Sequence, residues 1–151
     1  MQVEVDQSGK IGNTGEDTIL AYSNSDSFSV LIPKQVKREC LLHLRERGLP
    51  PNTIYYRMFG IGLYFLLRQR IGGMSRVIID IEYPKHESRI CRHLLNLLGR
   101  DGISVQAEQI RFGFIGKKSN AHRVGLDTFR GKRRATITLS VEDILWGFGE
   151  E

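Results

Sequence analysis

The segment Arg76–Tyr83, which reads Arg-Val-Ile-Ile-Asp-Ile-Glu-Tyr, constrains the fold of this chain more than any other stretch. Its β-branched residues are typical of a strand, and its apolar run is typical of a strand covered on both faces. Pro84 ends the segment, and helical patterns precede and follow it. A strand between two helices joins a sheet as a parallel strand through a right-handed crossover. We therefore expect a sheet with parallel strands and flanking helices.

The sequence before this segment predicts an antiparallel meander followed by two helices. A first strand is expected around Val3–Asp6, where apolar and acidic residues alternate. The glycine-rich stretch 7–15 then turns the chain. The remaining expected elements of this part are strands at Thr18–Tyr22 and Phe28–Ile32 and helices from Pro33 to Gly48 and from Thr53 to about Ile71.

The sequence after the segment predicts two more strands between helices. The expected elements are a helix from about His86 to Gly99, a strand at Gln109–Ile115, a short helix at Val124–Phe129, a strand at Ala135–Leu139 and a last helical turn from Ser140. No internal repeat, low-complexity tract or linker interrupts this pattern. Residues 1–151 are therefore expected to form a single domain.

This order of elements resembles the ribonuclease H-like superfamily, which includes ribonuclease H, integrases and Holliday-junction resolvases. The resemblance covers most of the chain and depends on topology and on a few acidic positions. The helix from Thr53 to Ile71 is an addition relative to the simplest members. The resemblance implies an α/β fold with a mixed five-stranded sheet, in which parallel strands extend an antiparallel meander of three strands and helices flank the sheet.

The same resemblance implies metal-binding carboxylates at three places. Asp6 in the first strand is followed by Gln-Ser-Gly, a small turn of the expected kind. Asp80 and Glu82 are two residues apart in the fourth strand and so share a face of the sheet. Asp127 is the best match for a third carboxylate, on the helix after the fifth strand. The resemblance thus implies that Asp6, Asp80 and Asp127 bind one or two Mg²⁺ or Mn²⁺ ions, with Glu82 as an additional ligand or a neighbour of the ligands. Magnesium prefers oxygen ligands, and two ions about 4 Å apart stabilise both oxygens of a phosphodiester cleavage.

Each acidic position also has an ordinary structural explanation. Asp6 fits a polar residue of a half-exposed strand, and Glu82 fits a solvated residue near a strand end. Asp127 fits a surface helix residue that pairs with a neighbouring arginine. Asp80 is harder to explain in this way because it interrupts an apolar run. A buried carboxylate is costly unless a cation or a shifted pKa compensates for its burial.

Basic residues concentrate after the fifth expected strand. The chain has 22 Lys and Arg against 17 Asp and Glu, a formal net charge of +5 that favours a polyanionic partner such as DNA or RNA. The candidate phosphate contacts are Lys117, Lys118, Arg123, Arg130, Lys132, Arg133 and Arg134. A solvated surface explains the same run. His122 is a candidate proton shuttle, although an ordinary loop histidine is the simpler interpretation.

The remaining features bear on compartment and assembly. Cys40 and Cys91 are too few for a disulfide scaffold, and they predict free thiols in a reducing, cytoplasmic compartment. The first ten residues lack the pattern of a secretory signal. The apolar stretch Ile54–Leu67 is too short to span a bilayer, so no membrane association is expected. Its apolar groups on most sides predict either a buried helix or an interface with a second copy in a homodimer.

Together these features favour a metal-dependent nuclease that acts on structured DNA or RNA by a two-metal mechanism. One alternative is a non-catalytic nucleic-acid-binding or assembly module on the same fold, with acidic positions that are no longer used. Another is a scaffold protein that oligomerises through Ile54–Leu67. Geometry distinguishes them, because metal ligands must converge within a few ångströms at the centre of the sheet, whereas unused carboxylates can lie apart.

Overall fold

A computed structural model of the chain describes residues 1–23, 26–116 and 119–149. Within these ranges the chain forms a mixed sheet flanked by helices. The strands are β1 (Gln2–Ser8), β2 (Thr18–Ser23), β3 (Ser27–Ile32), β4 (Arg76–Asp80), β5 (Ile110–Gly113) and β6 (Ile137–Thr138). The α-helices are α1 (Lys34–Glu46), α2 (Pro51–Leu67), α3 (Glu87–Arg100), α4 (Asn120–Phe129) and α5 (Val141–Gly147).

The order of strands in the sheet is β5-β4-β1-β2-β3-β6. Strands β1, β2 and β3 form the expected antiparallel meander, and β4 and β5 extend it from β1 in parallel. The predicted α/β architecture with a mixed sheet is confirmed. The described sheet has six strands, one more than the resemblance implies, because β6, at the predicted strand Ala135–Leu139, pairs in parallel with β3.

The two faces of the sheet are covered differently. On one face, strand residues such as Val5, Leu20 and Ile79 join an apolar core with residues of α1, α2, α3 and α5. On the other face, α4 packs across β1, β2 and β3. Gly125 allows this helix to approach closely, because a Cβ atom there would lie 3.2 Å from the Oγ atom of Ser8.

The apolar helix α2 lies inside the core of this chain. Every residue from Met58 to Leu67 is buried. At Gly62 a Cβ atom would lie 2.6 Å from a methyl group of Leu20, so the helix and the sheet are in close contact there. The chain itself therefore covers the apolar groups that suggested an interface. The homodimer remains a prediction that this helix no longer supports.

The described elements differ from the predicted ones mainly at their ends. Strand β4 ends at Asp80 rather than at Tyr83. Helix α4 begins four residues earlier than predicted, because Ser119 caps it and accepts a hydrogen bond from the backbone N–H of His122. His122 therefore lies in the first turn of a helix rather than in a loop. Both cysteines are free, as predicted, and no helix in the described ranges is long and apolar enough to cross a membrane.

Candidate metal centre

Strand pairing brings Asp6 and Asp80 side by side. Strands β1 and β4 run in parallel with Val5 opposite Ile79, so the next residue along each strand is an aspartate. Successive side chains of a strand point to opposite faces. Since Val5 and Ile79 belong to the apolar core, the two aspartates lie on the face that α4 covers.

Glu82 completes a cluster of three carboxyl groups. One oxygen atom from each of Asp6, Asp80 and Glu82 lies within 4.8 Å of the others. Asp6 is buried, and the other two side chains are half-buried. Glu82 lies two residues beyond the end of β4, where the chain leaves the sheet. The carboxylates predicted on the first and fourth strands therefore converge as a metal site requires.

Hydrogen bonds hold the two aspartates in place. The backbone N–H of Ile115 donates to Oδ1 of Asp80 over 2.9 Å, so the chain that follows β5 fixes this carboxylate. Nδ1 of His122 lies 2.8 Å from Oδ2 of Asp6. The Asp6 side chain is 5% exposed and the His122 side chain 28% exposed. The predicted shuttle residue therefore contacts the cluster directly, from the first turn of α4.

The electrostatics of the cluster favour a cation. Burial raises the pKa of Glu82 to about 8, and a hydrogen bond with Asp80 and repulsion from Asp80 and Asp6 act in the same direction. Burial also raises the pKa of Asp6, and the hydrogen bond and charge of His122 oppose this effect only in part. Carboxylate oxygens are the ligands that Mg²⁺ and Mn²⁺ prefer. The donor set therefore fits a hard divalent cation, which would relieve the repulsion.

Asp127 does not belong to this cluster, although it was expected as the third ligand. In the described part of the chain, the third member of the cluster is Glu82 instead. Asp127 follows His122 by five residues, which turns it by about 140° around the helix axis. Because His122 faces Asp6, Asp127 points to another side of α4, where it is half-buried. Within the described residues, the carboxyl groups that could together hold a metal ion are therefore those of Asp6, Asp80 and Glu82, and this geometry does not support Asp127 as a ligand.

The basic run begins at the far end of α4. His122 contacts Asp6, and a Cβ atom at Gly9 would lie 3.0 Å from the ring of Phe129, so the helix runs along β1 and beyond its end. Arg130 lies about 12 Å along the helix axis from His122. The described candidate phosphate contacts are all exposed; they are Arg123, Arg130, Lys132, Arg133 and Arg134. Lys117 and Lys118 lie outside the described residues.

Phe114 is a feature of this region that the sequence did not single out. Its side chain is 88% exposed, and it directly precedes Ile115, whose N–H binds Asp80. The predicted strand Gln109–Ile115 assigned it to the sheet, but β5 ends at Gly113. The signal in the sequence was an aromatic residue at the end of a strand, directly before a basic loop.

Lys37 is a second residue that the sequence did not single out. It is 1% exposed, and its ammonium group donates to the backbone oxygens of Lys10 and Asn13 and to Oγ1 of Thr18, over 3.0, 2.7 and 3.0 Å. Burial lowers its pKa to about 8. These acceptors match the three N–H groups of the ammonium. Lys37 therefore ties α1 to the loop that follows β1.

Comparison of the chain with protein-family models, with curated proteins and with solved structures finds no match. The case for a function therefore depends on the residues of the site and on their geometry.

Proposed function

We propose that the chain is a metal-dependent nuclease that hydrolyses phosphodiester bonds in structured DNA or RNA by a two-metal mechanism. In this proposal Asp6, Asp80 and Glu82 are the ligands of one or two Mg²⁺ or Mn²⁺ ions. The observation that carries it is the convergence of the three carboxyl groups within 4.8 Å at the carboxyl ends of two adjacent parallel strands. The meander extended by parallel strands also agrees with the ribonuclease H-like resemblance.

The protein itself holds the side chains of this centre in position. Divalent ions held there would activate the phosphodiester and a water molecule as Lewis acids. Asp6 and Asp80 keep fixed positions, because His122 and the backbone of Ile115 bind them. Burial raises the pKa of Glu82 to about 8. Glu82 would therefore release a proton when a cation enters near neutral pH.

His122 is the candidate carrier of a proton in the reaction. Its Nδ1 atom is occupied by Asp6, so an exchange with substrate or solvent would use Nε2. A carboxylate bound to one ring nitrogen fixes the orientation of an imidazole and selects its tautomer. The partly exposed ring gives the second nitrogen a route to solvent.

Two surfaces near the centre suit a nucleic-acid strand. The run Arg130–Arg134 begins about 12 Å from His122 along the helix, a distance that corresponds to three or four steps of about 3.4 Å along a duplex strand. These cations would bind phosphates away from the cleaved bond. Phe114 would stack on an unpaired base, since an exposed aromatic ring contributes affinity without sequence preference.

A non-catalytic nucleic-acid-binding module is the second candidate. The observation in its favour is the contact between His122 and Asp6, because an imidazole hydrogen bond satisfies a buried carboxyl group without any metal. Such a module would bind DNA or RNA equally well in EDTA and in Mg²⁺ and would cleave neither.

A cleavage assay tests the proposal. Labelled single-stranded, duplex and four-way-junction DNA, with the corresponding RNAs, would be incubated with the protein in Mg²⁺, in Mn²⁺ and in EDTA. We expect cleavage of at least one substrate with metal and none in EDTA. Asp80→Asn should reduce the rate at least about a hundredfold, because it weakens a ligand of the ions. Asp127→Asn, a matched change outside the cluster, should retain the parent rate. Binding without cleavage of any substrate would favour the module instead.

A further inference from the structure

A cavity of about 220 Å³ lies between α2 and α3, on the face of the sheet opposite α4. Its lining consists of Thr53, Tyr56 and Arg57 from α2 and Arg89, Arg92, His93 and Asn96 from α3. On each helix these residues are three and four positions apart, so they share one face. The two helices therefore present polar faces to the same space.

The charge of this cavity is positive. Three arginines line it and no acidic residue does. Arg89 and Arg92 are exposed, and within the described residues neither guanidinium makes a hydrogen bond or an ion pair. Arg57 is held in place, since it donates to the backbone oxygen of Phe148 over 3.4 Å and lies 4.4 Å from the centre of that ring. The cavity thus combines one fixed guanidinium, that of Arg57, with two whose N–H groups can bind a ligand, those of Arg89 and Arg92.

His93 adds a buried ring nitrogen that lacks a partner. Its Nε2 atom is buried and, within the described part of the chain, makes no hydrogen bond. The ring packs on α2 at Gly60, where a Cβ atom would lie 2.9 Å from its Cδ2 atom. Burial and the charges of Arg57 and Arg100 lower the pKa of His93 to about 4. The ring is therefore neutral at pH 7 and carries one N–H group. Buried polar atoms of native proteins are nearly always paired, so this nitrogen requires a partner such as a water molecule, an ion or a ligand.

We propose that this cavity binds a phosphate group. Arg89 and Arg92 would bind its oxygens through their paired N–H groups, a geometry in which guanidinium matches phosphate. His93, Thr53 and Asn96, which also line the cavity, would add neutral hydrogen bonds. The phosphate belongs either to a small phosphate ester or to the backbone of a nucleic acid, which share this chemistry. The site is separate from the carboxyl cluster and does not depend on the nuclease proposal.

Titrations followed by NMR test this site in the full chain, with EDTA present so that the carboxyl cluster plays no part. The probes are inorganic phosphate, adenosine 5′-monophosphate and a short single-stranded oligonucleotide. We expect inorganic phosphate to shift the ring signals of His93 in a saturable manner. The double variant Arg89→Gln, Arg92→Gln should weaken this binding at least tenfold. Arg76→Gln removes an exposed arginine at the start of β4 and should leave the binding unchanged.

The other two probes identify the source of the phosphate. If the double variant loses as much affinity for the oligonucleotide as for phosphate, the site binds a nucleic-acid backbone. If only phosphate and the mononucleotide lose affinity, the site binds a small phosphate ester. Absence of a saturable shift at His93, or an equal loss of binding in Arg76→Gln, would overturn the proposal.

Discussion

On one face of the sheet, β1 and β4 contribute Val5 and Ile79 to an apolar core that helices α1, α2, α3 and α5 cover. On the other face, the next residues along the same strands, Asp6 and Asp80, lie close to Glu82, and His122 of α4 contacts Asp6. Burial of apolar surface stabilises the first face. The second face places like charges side by side, which costs folding free energy unless a cation is present. The comparison teaches that one pair of strands can bury an apolar face on one side and gather carboxyl groups on the other.

The two faces should differ most in the free energy of unfolding that is lost when one of their side chains is replaced. Leu20 is fully buried in the apolar core, so Leu20→Ala should lower the free energy of unfolding by about 2–5 kcal/mol, measured by urea denaturation. Asp80→Asn, measured alongside in EDTA, should cost little or nothing, because an Asn oxygen can still accept the hydrogen bond from Ile115. Equal losses in the two variants would remove the distinction between the faces.

A smaller effect should appear in the pH dependence of stability without metal. The pKa of Glu82 is about 8 in the folded protein against 4.5 as its ordinary value, so the folded state binds this proton more tightly than the unfolded state. Stability should therefore fall as the pH rises from about 4.5 to about 8. Each kcal/mol corresponds to about 2–4 °C for a chain of this size. In EDTA, the melting temperature of Glu82→Gln should fall less than that of the parent over this pH range. An equal fall in the two proteins would contradict the raised pKa.

The smallest effect on stability should come from the exposed basic run. Replacing Lys132, Arg133 and Arg134 with Ala should change the free energy of unfolding by no more than about 0.5 kcal/mol. It should nevertheless flatten the salt dependence of nucleic-acid binding by about two units of the logarithmic slope, since each phosphate contact contributes roughly 0.7–0.9. Arg76→Ala serves as the control that leaves the slope unchanged. A triple variant with the parent slope would place the binding surface elsewhere.

The sequence predicted most of the fold and two of the three carboxylates in the cluster. The alternation in the first strand and the β-branched run of the fourth identified Asp6 and Asp80, because strand periodicity fixes which face a side chain occupies. Glu82 was expected only as an accessory residue, on the assumption that the strand continued to Tyr83. The chain leaves the sheet after Asp80, so the position of Glu82 depends on a loop that periodicity does not describe.

Asp127 was expected beside Asp6 and Asp80 because this expectation depended on the exact start of a helix. With α4 predicted from Val124, His122 was outside the helix and Asp127 was the acidic residue that remained. The cap at Ser119 moves the start of the helix and brings His122 to Asp6. Whether α2 is buried in its own chain or against a second copy was left open for a different reason. A helix that is apolar on all sides must be covered, but its sequence does not identify the surface that covers it.

Thermal melts of the parent, Asp80→Asn and Asp127→Asn, each in EDTA and in Mg²⁺, test most directly whether the carboxyl cluster is a metal site. A cation that binds only the folded state stabilises it by about 2.7 kcal/mol at a hundred times its dissociation constant. We expect Mg²⁺ to raise the melting temperature of the parent and of Asp127→Asn. Asp80→Asn should melt at or above the parent in EDTA, because a repelling charge is removed, and should not respond to Mg²⁺. If Asp80→Asn melts below the parent in EDTA and Mg²⁺ shifts none of the three proteins, Asp80 is a structural residue and the metal centre does not exist.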